Sequence, residues 1–188
     1  MARNTLESTI LGRDIEFEYA EHWVGYSLFL LRLVMGWTLF QGGITKVVTY
    51  LDADPSNNWT AAGYLTNLPE GNPFTTLFAS MAGNPLIDML NMWGLTLTGL
   101  AIILGAFLRW SAFWGAVMML FYWLASLQGG LLAGLPIAHG WVVDDHLVYV
   151  ILLFGLGAFG AGRILGVDAV LEDTSVVRNH PWLKYLLG

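Results

Sequence analysis

The chain has 188 residues, of which 56% are hydrophobic and 12% are charged, about half of the ~25% charged share of a typical soluble protein. Its mean hydropathy of +0.59 excludes a soluble globule, which needs a far larger polar surface. The net charge of −6 excludes binding to nucleic acid through phosphates. The absence of cysteine excludes disulfides, iron–sulfur clusters and thiolate zinc sites, so any redox role must use a diffusible or partner-held cofactor.

The N-terminal segment, residues 1–22, is charged throughout and has no apolar core before a small-residue cleavage site. We expect a cytoplasmic segment rather than a signal peptide. A membrane helix needs about 20 predominantly apolar residues, and four stretches qualify, at about 23–43, 89–108, 110–128 and 146–165. The sequence therefore predicts an all-α polytopic membrane protein, with one membrane domain over residues 1–188 and a four-transmembrane-helix bundle over residues 23–171.

The positions of Lys and Arg near the helix ends indicate the orientation. Six of the eight basic residues fall on one side of the predicted bundle: Arg3, Arg13, Arg109, Arg163, Arg178 and Lys184. The loops of the other side, 47–85 and 129–145, contain none. We therefore expect a multi-pass protein of the cell membrane with both termini in the cytoplasm. The tail, residues 172–188, contains Trp, Tyr and Lys, which favour the headgroup layer and predict an interfacial anchor.

The loop between the first two helices is too long for a simple connector. Its four prolines mark turns that flank two short segments, 61–68 and 74–81. Each segment is predicted to form a brief amphipathic helix on the extracytoplasmic membrane face. Together they would cover the outer end of the bundle.

The first helix has one charge inside its apolar span, Arg32. At about 3.6 residues per turn, Gly36, Gly43 and Lys46 share a face with Arg32, and the spacing puts Arg32 near the membrane midplane. Ionisable residues at such a depth are candidates for function. Two interpretations remain open: Arg32 donates hydrogen bonds to backbone and hydroxyl groups, or it meets an anion or carbonyl from outside the chain.

Polar residues also converge at the outer end of the predicted bundle. They lie at the ends of three helices: Asp88, Asn91, Gln128, His139, Asp144, Asp145, His146 and Tyr149. Such a set is typical of a polar ligand site or a proton relay. The alternative is that Asp144 and Asp145 only cap the fourth helix. A metal site is not expected, because the seven-residue spacing of His139 and His146 fits no tight ligand motif.

The order of these motifs resembles the DoxX/DoxD family of small four-helix membrane proteins. The matching residues lie between about 27 and 171: Arg32, Gly36, Phe40, Gly43, Lys46, Gly99, Gly105, Arg109, Asp144, Asp145, His146, Arg163 and Asp168. DoxD-like members are described as the small membrane subunit of thiosulfate:quinone oxidoreductase, which works with a second subunit. The resemblance implies a quinone-linked role in a respiratory chain, with other membrane subunits as partners.

Quinone chemistry needs an apolar slot, hydrogen-bond donors at the carbonyls and a proton supply. We expect catalytic roles for His146, Asp145 and Lys46. We expect a membrane quinone to be bound by Arg32, Gly36, Gly43, Tyr149 and Asn91, with the glycine face opening the slot. The alternatives are a non-enzymatic membrane scaffold or assembly subunit and a small-anion carrier that uses Arg32 as the counter-charge. Besides the lipid bilayer and other membrane subunits, a second copy of the chain is a candidate partner, in a homo-oligomer.

Overall fold

The computed structural model describes residues 3–51, 53–128 and 143–188. It begins with an antiparallel hairpin of β1 (Arg3–Ile10) and β2 (Arg13–Ala20). The connecting residues Leu11 and Gly12 both have positive φ, 51° and 76°, as in the type I′ turns that suit two-residue hairpins. The expectation of an all-α fold is therefore wrong for Arg3–Ala20, where Ile15, Phe17 and Tyr19 of β2 alternate with charged residues at the period of a strand.

The remainder of the described chain is helical. The helices are α1 (Glu21–Val47), α2 (Ala62–Leu65), α3 (Thr75–Met81), α4 (Pro85–Leu104), α5 (Leu108–Ser126), α6 (Asp145–Ala158), α7 (Val167–Glu172) and α8 (Ser175–Asn179). Short 3₁₀ turns lie at Val48–Tyr50, Pro55–Asn57, Ala161–Arg163 and Pro181–Tyr185.

Four long helices pack in a ring, with α1 on α4, α4 on α5, α5 on α6 and α6 on α1. The buried core residues that they share include Met35, Leu39, Leu95, Ile102, Met119, Leu153 and Leu156. The contact between α1 and α4 is close because glycines lie in it: a Cβ on Gly43 would overlap the backbone nitrogen of Thr96. Backbones can approach this closely only where no side chain stands between them.

The two ends of the bundle differ. At one end, which we call the capped end, residues 53–84 fold over the helices. At the other, which we call the turn end, α4 and α5 are joined by residues 105–107. The cap is attached by Asn72, which is buried and donates to the carbonyls of Leu124 and Ala125 at 2.9 and 3.0 Å. The predicted short helices of the loop are present as α2 and α3.

Two helices of the described residues are long and apolar enough to cross a membrane, Glu21–Tyr50 and Pro85–Leu104. The fourth predicted span is too long by seven residues, because α6 ends at Ala158 and Gly160 turns the chain with a φ of +62°. The segment that follows packs against the turn end. The backbone nitrogen of Trp110 donates to the carbonyl of Leu186 at 3.2 Å, and Leu187 is fully buried, so the tail is folded onto the bundle.

Candidate functional site

Three side chains from three helices meet at the capped end. Lys46 lies in the last turn of α1, Asn91 in the second turn of α4 and Tyr122 near the end of α5. The Lys46 Nζ donates to Asn91 Oδ1 at 2.6 Å and to the Tyr122 hydroxyl at 2.8 Å. The Asn91 Nδ2 lies 2.8 Å from the same hydroxyl. We call Lys46, Asn91 and Tyr122 the donor triad.

The cap provides an aromatic wall for the triad. The ring centroid of Trp59 lies 4.5 Å from the Lys46 Nζ, a cation–π contact. The backbone of Trp59 is held on both sides: its nitrogen donates to Thr49 Oγ1 at 2.8 Å, and its carbonyl accepts from the Tyr50 hydroxyl at 2.7 Å. Trp59 is thus positioned by the residues that directly follow α1.

A second polar group lies beside the triad. The Asp144 Oδ2 accepts from Ser126 Oγ and pairs with His146 Nδ1, both at 2.7 Å, while its Oδ1 caps α6 at the nitrogen of Leu147. Burial raises the pKa of Asp144, but these hydrogen bonds outweigh burial and hold the pKa below its usual range. The His146 ring stacks on the ring of Tyr122, with centroids 5.4 Å apart and planes 4° from parallel.

An apolar groove of about 1240 Å³ runs between α4 and α5 and ends at the donor triad. Leu97, Trp114 and Phe121 are among its lining residues, and Tyr64 and Phe78 of the cap also line it. Burial, with Tyr122 and Asp144 nearby, raises the pKa of the Tyr64 phenol, so this hydroxyl stays protonated. The arrangement suits a long apolar molecule with a polar head at the triad.

Several residues expected at the site are indeed brought together. Lys46 and Asn91 belong to the donor triad, His146 stacks on it, and the ring of Tyr149 meets the His146 ring edge-on at 6.4 Å. Asp145 lies at the rim: its side chain is 67% exposed and 3.5 Å from His146 Nδ1. Asp144, at 2.7 Å, is the carboxylate that orients His146.

Ligand atoms of Asp144, Asp145 and His146 lie within 4.8 Å of one another, so these residues could share a cation. Two of the Asp144 hydrogen bonds already occupy one of its oxygens. His139, the other histidine considered as a metal ligand, lies outside the described residues.

The expected ligand slot along Arg32, Gly36 and Gly43 is contradicted. A Cβ on Gly36 would lie 2.8 Å from the nitrogen of Ile103, and one on Gly43 would overlap Thr96. The backbone of α4 fills the space that the glycines leave. These residues of α1 do face the interior of the bundle, but α4 packs directly against Gly36 and Gly43 and leaves no space there for a ligand.

Arg32 lies at the turn end rather than at the middle of the bundle. Its side chain is buried, and Nη1 donates to the carbonyls of Ala161 and Ile164 at 2.6 and 2.8 Å. A longer contact of 3.4 Å joins Nη2 to the carbonyl of Leu165. Of the two interpretations left open by the sequence, the first is confirmed: Arg32 binds backbone carbonyls of its own chain.

Asp168 is the other buried charge of the turn end. Its carboxylate accepts from the backbone nitrogens of Phe107, Leu108 and Gly188 at 2.6, 2.9 and 3.0 Å, which caps the start of α5. Arg32 and Asp168 together close the turn end by binding main-chain carbonyls and nitrogens where helices and turns begin or end.

Sequence reasoning missed two residues of the site, Tyr122 and Trp59. The chain has nine Trp and seven Tyr. Because these residues are so frequent, their presence alone does not distinguish a functional Trp or Tyr from a structural one. One signal was available for Tyr122: its hydroxyl is a polar atom within an apolar helix, which needs a hydrogen-bond partner there.

Long apolar helices, few charges and charged side chains that lie toward the two ends of the bundle define a helical membrane protein. A family model described as DoxX matches residues 27–127, just over half of the chain. The chain therefore belongs to the DoxX family. No curated protein and no solved structure matches it.

Proposed function

We propose that this chain is the small membrane subunit of a quinone-linked oxidoreductase, similar to the DoxD subunit of thiosulfate:quinone oxidoreductase. The observation that carries the proposal is the apolar groove that ends at the donor triad. A quinone has a flat head with two carbonyl acceptors and a long apolar tail, and the groove offers complementary surfaces for both. This moves the expected slot from the glycine face of α1 to the space between α4 and α5.

Each polar residue near the groove has a separate task in this proposal. Lys46 and Tyr122 donate to a carbonyl of the head, and Asn91 fixes the orientation of both. His146, held by Asp144, exchanges protons with the exposed carboxylate of Asp145 at the rim. A bound quinone supplies two-electron redox chemistry, which the side chains of a cysteine-free chain do not supply.

In this proposal all four long helices cross the membrane, with both termini in the cytoplasm. The turn end carries Arg109, Arg163 and Arg178, which supports its placement on the cytoplasmic side. The capped end, with the donor triad, then faces the other side of the membrane.

Electrons must come from a partner subunit, and the β-hairpin supports the presence of one. A hairpin on its own is marginally stable, and Ile10 and Phe17 are each 51% exposed. Its other face bears Glu7 opposite Glu16, a like-charge pair that a basic protein surface would relieve. The same observation favours the second candidate, a non-enzymatic scaffold.

The anion-carrier alternative is disfavoured, because Arg32 is fully buried and bound to carbonyls.

The test is binding of decylubiquinone and of a menaquinone analogue to the purified full chain in lipid nanodiscs. Lys46→Met and Tyr122→Phe should each weaken binding about tenfold or more, the effect of losing one charge-assisted hydrogen bond. The chain offers matched controls in the tail, Lys184→Met and Tyr185→Phe, which should bind like the unaltered protein. If all four variants bind quinone with equal affinity, the proposed quinone site is refuted, and the non-enzymatic scaffold remains as the candidate function.

A further inference from the structure

The charge of Lys46 is not balanced within its own cluster. Both atoms that accept from its ammonium group, Asn91 Oδ1 and the Tyr122 hydroxyl, belong to neutral side chains. The third neighbour is the face of Trp59. Across residues 3–51, 53–128 and 143–188, no carboxylate lies within the 4.0 Å of an ion pair from this ammonium.

This cation contrasts with Arg163, which pairs with Glu172 through Nε at 2.9 Å and Nη2 at 2.5 Å. Arg163 belongs to the turn end and is half-exposed, yet it has a carboxylate partner. Lys46 is part-buried beside an apolar groove, where an unbalanced charge costs more than at the surface. A negatively charged ligand atom would lower that cost, and a neutral carbonyl would lower it less.

The groove sets the shape of such a ligand. Phe107 and Tyr122 both line it, and at about 1.5 Å per residue they lie about 22 Å apart along α5. That is the order of length of an extended palmitate chain. Trp59 and Tyr64 of the cap line the groove at the end where the triad lies.

We infer that the groove binds a long-chain carboxylate, a free fatty acid, with its carboxylate on Lys46 and its chain between α4 and α5. The carboxylate accepts from Lys46 Nζ and from the hydroxyl of Tyr122. It takes the place of the Trp59 face as the third neighbour of the ammonium. The inference concerns the same groove as the proposed function but needs no electron transfer, and it makes fatty acids competitors of quinone.

The decisive comparison is made on the unaltered full chain, purified in detergent and stripped of lipid. Palmitate and its neutral methyl ester have the same chain and differ only in the charge of the head. Isothermal titration calorimetry should give palmitate an affinity at least about tenfold higher than that of methyl palmitate. Equal affinities would overturn the inference without any variant having to fold.

The variants then locate the head. In Lys46→Met, palmitate and methyl palmitate should bind with about equal affinity. In the control Lys184→Met, the ratio of the two affinities should be the same as in the unaltered protein. A preference that survives in Lys46→Met overturns the inference. Hexadecyl phosphate tests the other anionic head: tighter binding than palmitate would replace the carboxylate by a phosphate monoester and contradict the assignment.

Displacement by decylubiquinone separates this inference from the proposed function. Binding of palmitate but not of the quinone supports the inference and removes the quinone site. Binding of the quinone but not of palmitate does the reverse. Mutual displacement supports a shared groove.

Discussion

Adjacent glycines of α1 offer a direct test of whether the glycine face is used for packing or for a ligand. Gly43 lies against α4, where a Cβ would overlap the nitrogen and Oγ1 of Thr96 and lie 2.7 Å from the carbonyl of Met92. At Gly42 the nearest atom would be Leu95 Cδ1, at the ordinary contact distance of 3.9 Å. The same change, glycine to alanine, therefore overlaps helix backbone at Gly43 and makes an ordinary van der Waals contact at Gly42.

The difference between the two variants isolates the steric effect. Both substitutions gain about 0.8–1.0 kcal/mol of helix propensity, and this gain cancels when Gly43→Ala is compared with Gly42→Ala. Insertion of a methyl group into a packed core costs about 1–3 kcal/mol. The cost at Gly43 belongs to the upper part of that range, because main-chain atoms of α4 cannot rotate away as a side chain can.

Thermal unfolding of the two purified variants, followed by tryptophan fluorescence in one detergent, measures the difference. With a cost of about 2–3 kcal/mol and about 2–4 °C per kcal/mol, Gly43→Ala should unfold about 4–12 °C below Gly42→Ala. Equal melting temperatures would refute the packing argument. If Gly43 instead formed a ligand slot, its alanine variant would keep its stability and lose affinity for decylubiquinone, so the two interpretations predict opposite pairs of results.

Two further predictions concern the polar groups at the ends of the bundle. Arg32→Met removes the side-chain donor from the carbonyls of Ala161 and Ile164, of which Ala161 keeps a hydrogen bond from the nitrogen of Ile164. The loss at Ile164 costs about 1–3 kcal/mol, so the melting temperature should fall by at least about 2 °C while groove affinity in the folded fraction stays unchanged; an unaltered melting temperature would contradict the hydrogen-bonding role. Asp144 has a lowered pKa, so its ionised form stabilises the fold above the unfolded value of about 3.9, and this contribution is lost as the pH falls through the lower pKa of the folded state. Asp144→Asn should therefore be less stable than the unaltered protein at pH 7 and should not show this acid-induced loss. If the melting temperatures of the two proteins change with pH in parallel, the lowered pKa of Asp144 is refuted.

The positions of the long helices could be predicted from the sequence because apolar length alone determines them. Their ends were harder to predict. The fourth stretch stays apolar from Ala158 to Leu165, apart from one Arg, and hydropathy does not register that Gly160 takes a left-handed φ. From the sequence, the end of the helix near Gly160 could be suspected only because glycine readily adopts a positive φ.

The hairpin was missed for a related reason. Its turn is Leu11–Gly12 rather than the Asn–Gly or Asp–Gly pair that signals a type I′ turn. Its strands carry charged residues on one face, so their composition is like that of a solvated segment. Only the alternation of Ile15, Phe17 and Tyr19 with charged residues in β2 carries the strand signal.

For the site, helical periodicity correctly identified one inward face of α1 but could not identify what lies against it. Gly36 and Gly43 serve the crossing with α4, while Lys46 lies just past that crossing, where the helices diverge enough for side chains to meet. Whether a residue on this face packs against a helix or meets other side chains depends on which helices are neighbours in the fold. The periodicity of a single helix does not contain that information.

The two ends of the bundle use their polar side chains in different ways, and this difference determines where a ligand can bind. At the turn end, Arg32 and Asp168 bind main-chain carbonyls and nitrogens, so a ligand could replace them only by breaking the connections between helices. At the capped end, Lys46 and Tyr122 bind other side chains, which can change partners by rotation while the backbone stays in place. Exchange of a hydrogen-bond partner is what ligand binding requires, and the described chain permits it at the donor triad beside an apolar groove that opens between α4 and α5.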